Sequence, residues 1–399
     1  MQDSKKPAKK RATKASAPAG SAQTVAVKKP ATRKSAAKAP PGAAISETRA
    51  ALPEGKRAEA INELNIQALN ALHERQFDVA RAKLGEAFRL DENNAQTLCN
   101  SGLLAACEGD SQKAETDYRA AIKADPALVS SHFNLALLLY REKRMKEAEE
   151  VYLHIRTLVP QNAEICFNLA TLYRETERLD EAKKMYREAV ALKPDAVPAW
   201  HDLGVLMLDA GDLAEAEKAL RTALLHAPDY IPAWYNLAVL LLKTNRVDEA
   251  LHAQREAIRL RPEPRAEDQN NLGLMLQIKG DRREAEAAFR QAIAIDPERN
   301  EAHANLGNLL REAGSMIEAE RELREAVRLA PMQPAPLDGL GLLLWQTGRF
   351  DEAEQTFRRA LSMAPGQSLI EEHQNMLLRE IGHAANAGTG KNADKTAQA

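Results

Sequence analysis

Nine histidines and three cysteines are the residues of this chain best suited to metal or nucleophilic chemistry, and their spacing favours neither. The histidines form no H-x3-H or H-E-x-x-H pair, so no zinc site is spelled. Cys99 and Cys107 stand about 12 Å apart along a helix, too far to bridge or to share a metal. Gly388-Thr389-Gly390-Lys391 lacks the G-x4-G-K-[ST] spacing of a phosphate loop and follows no strand. Glu/Lys and Glu/Arg pairs at helical spacing are solvated faces rather than acid–base pairs. The expectation is a protein without a catalytic residue, a metal or a cofactor.

One polar set does recur: Asn100, Asn134, Asn168, Asp202, Asn236, Asn271 and Asn305. An asparagine amide both donates and accepts, which is what an extended peptide backbone requires, so a ladder of amides could hold a strand regardless of its side chains. Beside it run Phe133, Phe167, His201 and Tyr235, with Leu137, Val205 and Val239 one turn on, then Tyr140, Leu208 and Leu242, and Trp345 near the end. Aromatic residues are only 4% of the chain, so their collection in one register argues for an apolar binding stretch. Two readings stand side by side: the ladders line a peptide-binding groove, or they pack adjacent helices together.

The elements that would position these residues follow from a 34-residue period. Gly102, Ala136, Ala170, Gly204 and Ala238 keep that step, and after one inserted residue Gly273, Gly307 and Gly341 resume it. Alanines from Ala80 to Ala353 and prolines from Pro126 to Pro365 form parallel ladders. Within one unit, Trp200, Leu203, Gly204 and Met207 fall at i, i+3, i+4 and i+7, the apolar face of one helix. Ala216, Leu220, Ala223 and Leu224 mark a second helix, Gly211-Asp212 the turn between them, and Pro228 the end. Each unit therefore reads as an antiparallel helix pair, said nine times between residues 61 and 367. If positions 4, 7, 8 and 11 of each first helix pack inward, positions 5, 6, 9 and 12 face the groove, and the ladders above occupy these.

The pattern W-x2-L-G-x2-Y, A-x3-F, A and P resembles the tetratricopeptide repeat. Trp200-Leu203-Gly204, Ala182-Tyr186-Ala189-Pro194 and Ala285-Phe289-Ala292-Pro297 carry it most plainly. The resemblance implies an all-α, right-handed superhelical solenoid whose first helices line a concave side, acting as a scaffold or adaptor for extended or helical peptide segments. The asparagine ladder is similar to that of the O-linked N-acetylglucosamine transferases, although nothing like their catalytic domain follows. The paired lysine and arginine of chaperone-binding members are not recognisable, which disfavours capture of acidic C-terminal tails.

Charge divides the chain differently. Residues 1–44 carry a net charge of about +10 and the remainder −12, which together give the total of −2. Almost no large apolar residue interrupts the lysine, alanine and proline of the first 44, so a disordered tail is expected there, followed by a linker and the start of the first helix over 45–60. Its Lys5, Lys6, Lys9, Lys10, Arg11 and Lys14 are candidates for polyanion binding, a nucleic acid among them, or for solubility alone. Repeats fill 61–367, with a change of pitch or weak hinge at 261–265; a capping helix over 368–383 and a disordered 384–399 complete the organisation. No apolar run reaches membrane-span or signal-core length, and three cysteines suit a reducing compartment. A cytoplasmic monomer is the expectation, nuclear if the source is a eukaryote, with other proteins as partners. A targeting subunit of a modifying enzyme such as a glycosyltransferase is the third class of function.

Overall fold

A computed structural model describes residues 53–380. Their contacts divide into two compact bodies, one ending at Ala210 and the other beginning at Gly211. The first holds α1 (Glu54–His73), α2 (Phe77–Leu90), α3 (Ala95–Glu108), α4 (Ser111–Ala124), α5 (Val129–Arg141), α6 (Met145–Leu158), α7 (Ala163–Glu175), α8 (Leu179–Leu192) and α9 (Val197–Ala210). The second holds α10 (Leu213–His226), α11 (Ile231–Lys243), α12 (Val247–Leu260), α13 (Ala266–Lys279), α14 (Arg282–Ile295), α15 (Asn300–Glu312), α16 (Met316–Leu329), α17 (Pro334–Gln346) and α18 (Phe350–Met363), and α19 over 368–380. No strand occurs among the described residues. Residues 261–265, where the period shifts, form the loop between α12 and α13 inside the second body.

Helices pack in successive pairs, α1 on α2, α3 on α4, α5 on α6 and α7 on α8 in the first body, and α11 on α12 through α17 on α18 in the second. Connections of two or three residues make each pair antiparallel. The turns need one left-handed residue: Gly109 takes φ 85°, and Glu177 holds the same region at φ 60° despite its side chain. Each pair closes on a small residue facing a large one. A Cβ added at Gly102 would sit 2.7 Å from the Tyr118 ring, and one at Gly273 would sit 2.5 Å from the Phe289 ring. Tyr118, Tyr152, Tyr186, Phe289 and Phe357, all in the second helix of a pair, are the largest fully buried side chains.

In four repeats a ring early in the first helix ties it to the loop before it. Trp200 and Trp234 donate from Nε1 to the carbonyls of Pro194 and Pro228, both at 2.8 Å. His132 and His303 occupy the same place and give Nε2 to the carbonyls of Pro126 and Pro297 at 2.9 and 3.0 Å. Because a carbonyl only accepts, an imidazole N–H substitutes for the indole N–H there.

An arginine ladder joins the second helices. Arg144, just before α6, reaches Glu147 in the first turn of that helix and Glu115 on α4, both at 2.7 Å. Arg178 repeats this with Glu181 and Glu149, Arg246 with Glu249 and Glu217, and Arg349 with Glu352 and Glu320. At the end, α19 buries Ile370 and Leu377. Where a repeat would carry its inward-facing Trp, Leu and Gly, α19 carries Glu371, Gln374 and Asn375.

Candidate peptide-binding face

Helical phase places the two ladders on the first helix of each pair, and they are best followed body by body. In the first body, Asn100 on α3 is buried and hydrogen-bonded on both sides of its amide. Its Nδ2 donates to Asn65 Oδ1 at 2.8 Å, and its Oδ1 accepts from Gln96 at 3.0 Å. Asn134 on α5 is half-buried and points its Nδ2 at Cys99 Sγ, 3.6 Å away, the same rung to the preceding first helix. Asn168 on α7 is buried and donates to the Glu164 carbonyl of its own helix at 2.8 Å.

The apolar register of this body is also drawn inward. Phe133 meets Tyr152 edge-on with centroids 6.2 Å apart, and Phe167 lies 5.9 Å from Tyr186. On α9, His201 Nδ1 is 2.9 Å from Asp202 Oδ1, and Arg174 Nη1 stands 3.8 Å from the other oxygen. Burying polar and charged groups requires partners, and these three side chains supply one another. Asn100, Phe167, Asn168, His201 and Asp202 are therefore closed off within the body, whereas Phe133, Asn134 and Leu137 keep part of their surface open.

The second body leaves more of its face open. Tyr235 on α11 is half-buried, with the Arg261 guanidinium 5.4 Å from its ring and its hydroxyl accepting from Arg261 Nε at 3.3 Å. Burial and then the Asp268 carboxylate push its hydroxyl pKa up to about 12. Asn236 is half-buried and donates to the Pro232 carbonyl at 3.0 Å. One turn on, Val239 is 43% exposed, and Leu274, its counterpart on α13, is 37% exposed beside half-buried Asn271. Ile278 extends this apolar line by one further turn at 62% exposure. Asn305 on α15 donates to Asn270 Oδ1 at 2.8 Å, and Trp345 on α17, half-buried, donates to Glu380 at 2.6 Å.

Leu274, Ile278 and Arg261 were not singled out from sequence. The signal for Leu274 was present, since it lies one period plus the inserted residue after Val239. Lys5, Lys6, Lys9, Lys10, Arg11 and Lys14 lie outside the described residues. Among the described residues no group of three or more His, Cys, Asp or Glu could hold a metal ion, and no helix is long and apolar enough to cross a membrane.

Solved structures with similar repeats include the Pseudomonas aeruginosa PilF protein, 21% identical over 52% of this chain and 94% of its own, with a TM-score of 0.46. YrrB, described as a tetratricopeptide-repeat protein with an unusual peptide-binding site, is 16% identical over 48% of this chain and 97% of its own, with a TM-score of 0.39. A chain of the Cut9–Hcn1 hetero-tetramer of the APC/C is 13% identical over 85% of this chain and 92% of its own, with a TM-score of 0.42. No curated protein matches the sequence. Residues 318–368 match the tetratricopeptide repeat family, and residues 43–339 match the family described as the cilia and flagella-associated protein 70 C-terminal domain. With well over half of its length matched, the chain belongs to this tetratricopeptide-repeat family.

Proposed function

We propose that this protein is a non-catalytic interaction scaffold that holds extended or helical peptide segments of other proteins against the first helices of its repeats. Membership of a tetratricopeptide-repeat family supports the scaffold role. One observation carries the finer reading. Val239 and Leu274 are exposed apolar side chains at one register position of consecutive first helices, each three residues after a half-buried asparagine, Asn236 or Asn271. Apolar side chains held in register beside amide groups suit a peptide, which presents side chains and backbone together. In the first body the equivalent face is narrower, because its amides and rings are occupied in packing, and Phe133, Asn134 and Leu137 are what it offers.

The test is capture by the tagged full chain from its own cells. Val239→Glu combined with Leu274→Glu is expected to remove captured proteins while the melting temperature stays within a few degrees, since both side chains are already wet. Ile317→Glu, at a residue 91% exposed, serves as the control and is expected to retain them. Undiminished capture by the double variant would overturn the assignment of this face.

A further inference from the structure

The ring that ties a helix pair to the preceding loop is missing from α17. The residue 34 positions after His303 is Leu337, and the Pro331 carbonyl receives Arg359 Nη2 at 3.3 Å where Trp200, Trp234, His132 and His303 supply a ring N–H to their prolines. A cleft of about 430 Å³ lies here between α16, α17 and α18. Val327, Leu337 and Leu340 give it an apolar lining, and Arg324, Arg328 and Arg359 surround it.

The same change on α7 has a different outcome. Cys166 replaces the ring there, but Arg156 Nη2 crosses to both oxygens of Glu188 at 2.6 and 2.7 Å, with Nη1 3.5 Å from Met185 Sδ, and so closes the space. The counterparts of Arg156, Glu188 and Met185, five repeats later, are Val327, Arg359 and Thr356. No bridge can form from that set, and the smaller threonine widens the opening. Charge follows the same logic. Arg324 and Arg328 have carboxylate partners in Glu320 and Glu325, at 2.7 and 2.6 Å, whereas Arg359 meets no carboxylate among the described residues. Glu352, the acid of the lining, is already held by Arg349 at 2.6 Å. The lining thus carries three arginines against one glutamate, and Arg359 is the cation in it left without a carboxylate partner among the described residues, on a repeat array that is otherwise acidic.

We propose that this cleft docks a peptide segment that inserts an aromatic side chain flanked by carboxylates. The inserted ring fills the space that Trp200 and Trp234 fill in their own repeats, and an indole N–H reaches the Pro331 carbonyl as theirs reach Pro194 and Pro228. The arginines take the ring face and the flanking carboxylates, both of which suit a planar guanidinium. Buried aromatic anchors next to arginine are the contacts that dominate peptide affinity, and the volume lies within the range of ligand sites. The site is on the side of α17 that faces α16 and α18, so it stands or falls independently of the Val239–Leu274 face.

Three fluorescein-labelled pentapeptides test it by anisotropy against the full chain: Asp-Glu-Trp-Glu-Asp, the same peptide with alanine for tryptophan, and Lys-Lys-Trp-Lys-Lys. The acidic tryptophan peptide is expected to bind at least tenfold more tightly than either control. Leu337→Trp returns the chain's own ring, and Val327→Arg with Arg359→Glu rebuilds the bridge of α7 and α8. Each is expected to weaken binding tenfold or more with an unchanged helical spectrum, and either variant decides the matter if the other fails to fold. Absence of saturable binding, or parental affinity in the folded variants, would overturn the proposal. Equal binding of the alanine peptide would reduce the site to a polyanion patch, and equal binding of the lysine peptide would remove the arginines from recognition; both reject it. Self-association of the parent that Leu337→Trp abolishes would give the cleft to a second copy of this chain and reject it too.

Discussion

Gly273→Ala tests the packing on which every repeat depends. The new Cβ would lie 2.5, 2.6 and 2.9 Å from three ring carbons of Phe289, which is fully buried. Carbon atoms rest about 3.5–4.0 Å apart, so the ring or its helix must retreat by roughly 1 Å. Overpacking of that size costs about 1–3 kcal/mol, and replacing glycine inside a helix returns about 0.5–1 kcal/mol. The expected net loss is up to about 2.5 kcal/mol, a fall of up to roughly 10 °C in melting temperature for a body of this length. Circular dichroism melts of the full chain would read it. In a Phe289→Val background the obstacle is gone, and the same alanine is expected to be neutral or stabilising. Ala136, sixteen residues before fully buried Tyr152 as Gly273 is before Phe289, shows that alanine is compatible with the fold at this register. A melting temperature that rises on Gly273→Ala in the parent would refute the steric reasoning.

Acid is expected to destabilise the array modestly through its arginine ladder, since the carboxylates are exposed to solvent. Hydrogen bonds from Arg144, Arg178, Arg246 and Arg349 hold Glu147, Glu181, Glu249 and Glu352 below their ordinary pKa of 4.5. A lowered folded pKa gives stability that is present above pH 4.5 and lost as pH falls through the folded value, so the melting temperature should hold above about pH 5 and drop below it. Arg144→Ala should shrink that drop, and a melting temperature indifferent to acid would contradict it. Asn305→Ala strips Asn270, 5% exposed, of its donor and should cost about 1–3 kcal/mol, whereas Asn271→Ala at a half-buried position should stay within about 0.5 kcal/mol. Equal losses in denaturant melts would show that the rung is not structural. If residues 1–44 engage phosphate, duplex DNA binding by the full chain should weaken with salt by about −0.9 in log–log slope per contact, and a 45–399 fragment should lose it. Equal binding by both would leave the tail without that role.

The helix pairs were legible in sequence because a 34-residue period places Gly102, Gly273 and Gly341 where only a small side chain fits against an aromatic one. His132 and His303 could be placed at the tryptophan position, but their reason for being there, an N–H aimed at a proline carbonyl, needed the loop in three dimensions. The asparagine register was equally visible. Its hydrogen bonds were not, because Asn100 to Asn65 and Asn305 to Asn270 join residues 35 apart and depend on how successive first helices stack. Burial separated members that looked equivalent: Phe167 and Phe133 share one position, and only Phe133 stays partly open. The ladder of Arg144, Arg178, Arg246 and Arg349 could have been found from its own period, with a glutamate three residues after each arginine and another 29 before it.

Photo-crosslinking from a benzophenone side chain is the most direct test of peptide docking on the first-helix face. Placed at Val239, 43% exposed on α11, the probe is expected to capture partner peptides in cells. Placed at Leu225, 77% exposed on α10, it is expected to capture few or none although it meets solvent more freely. Crosslinks that follow exposure, stronger at Leu225 than at Val239, would contradict the account.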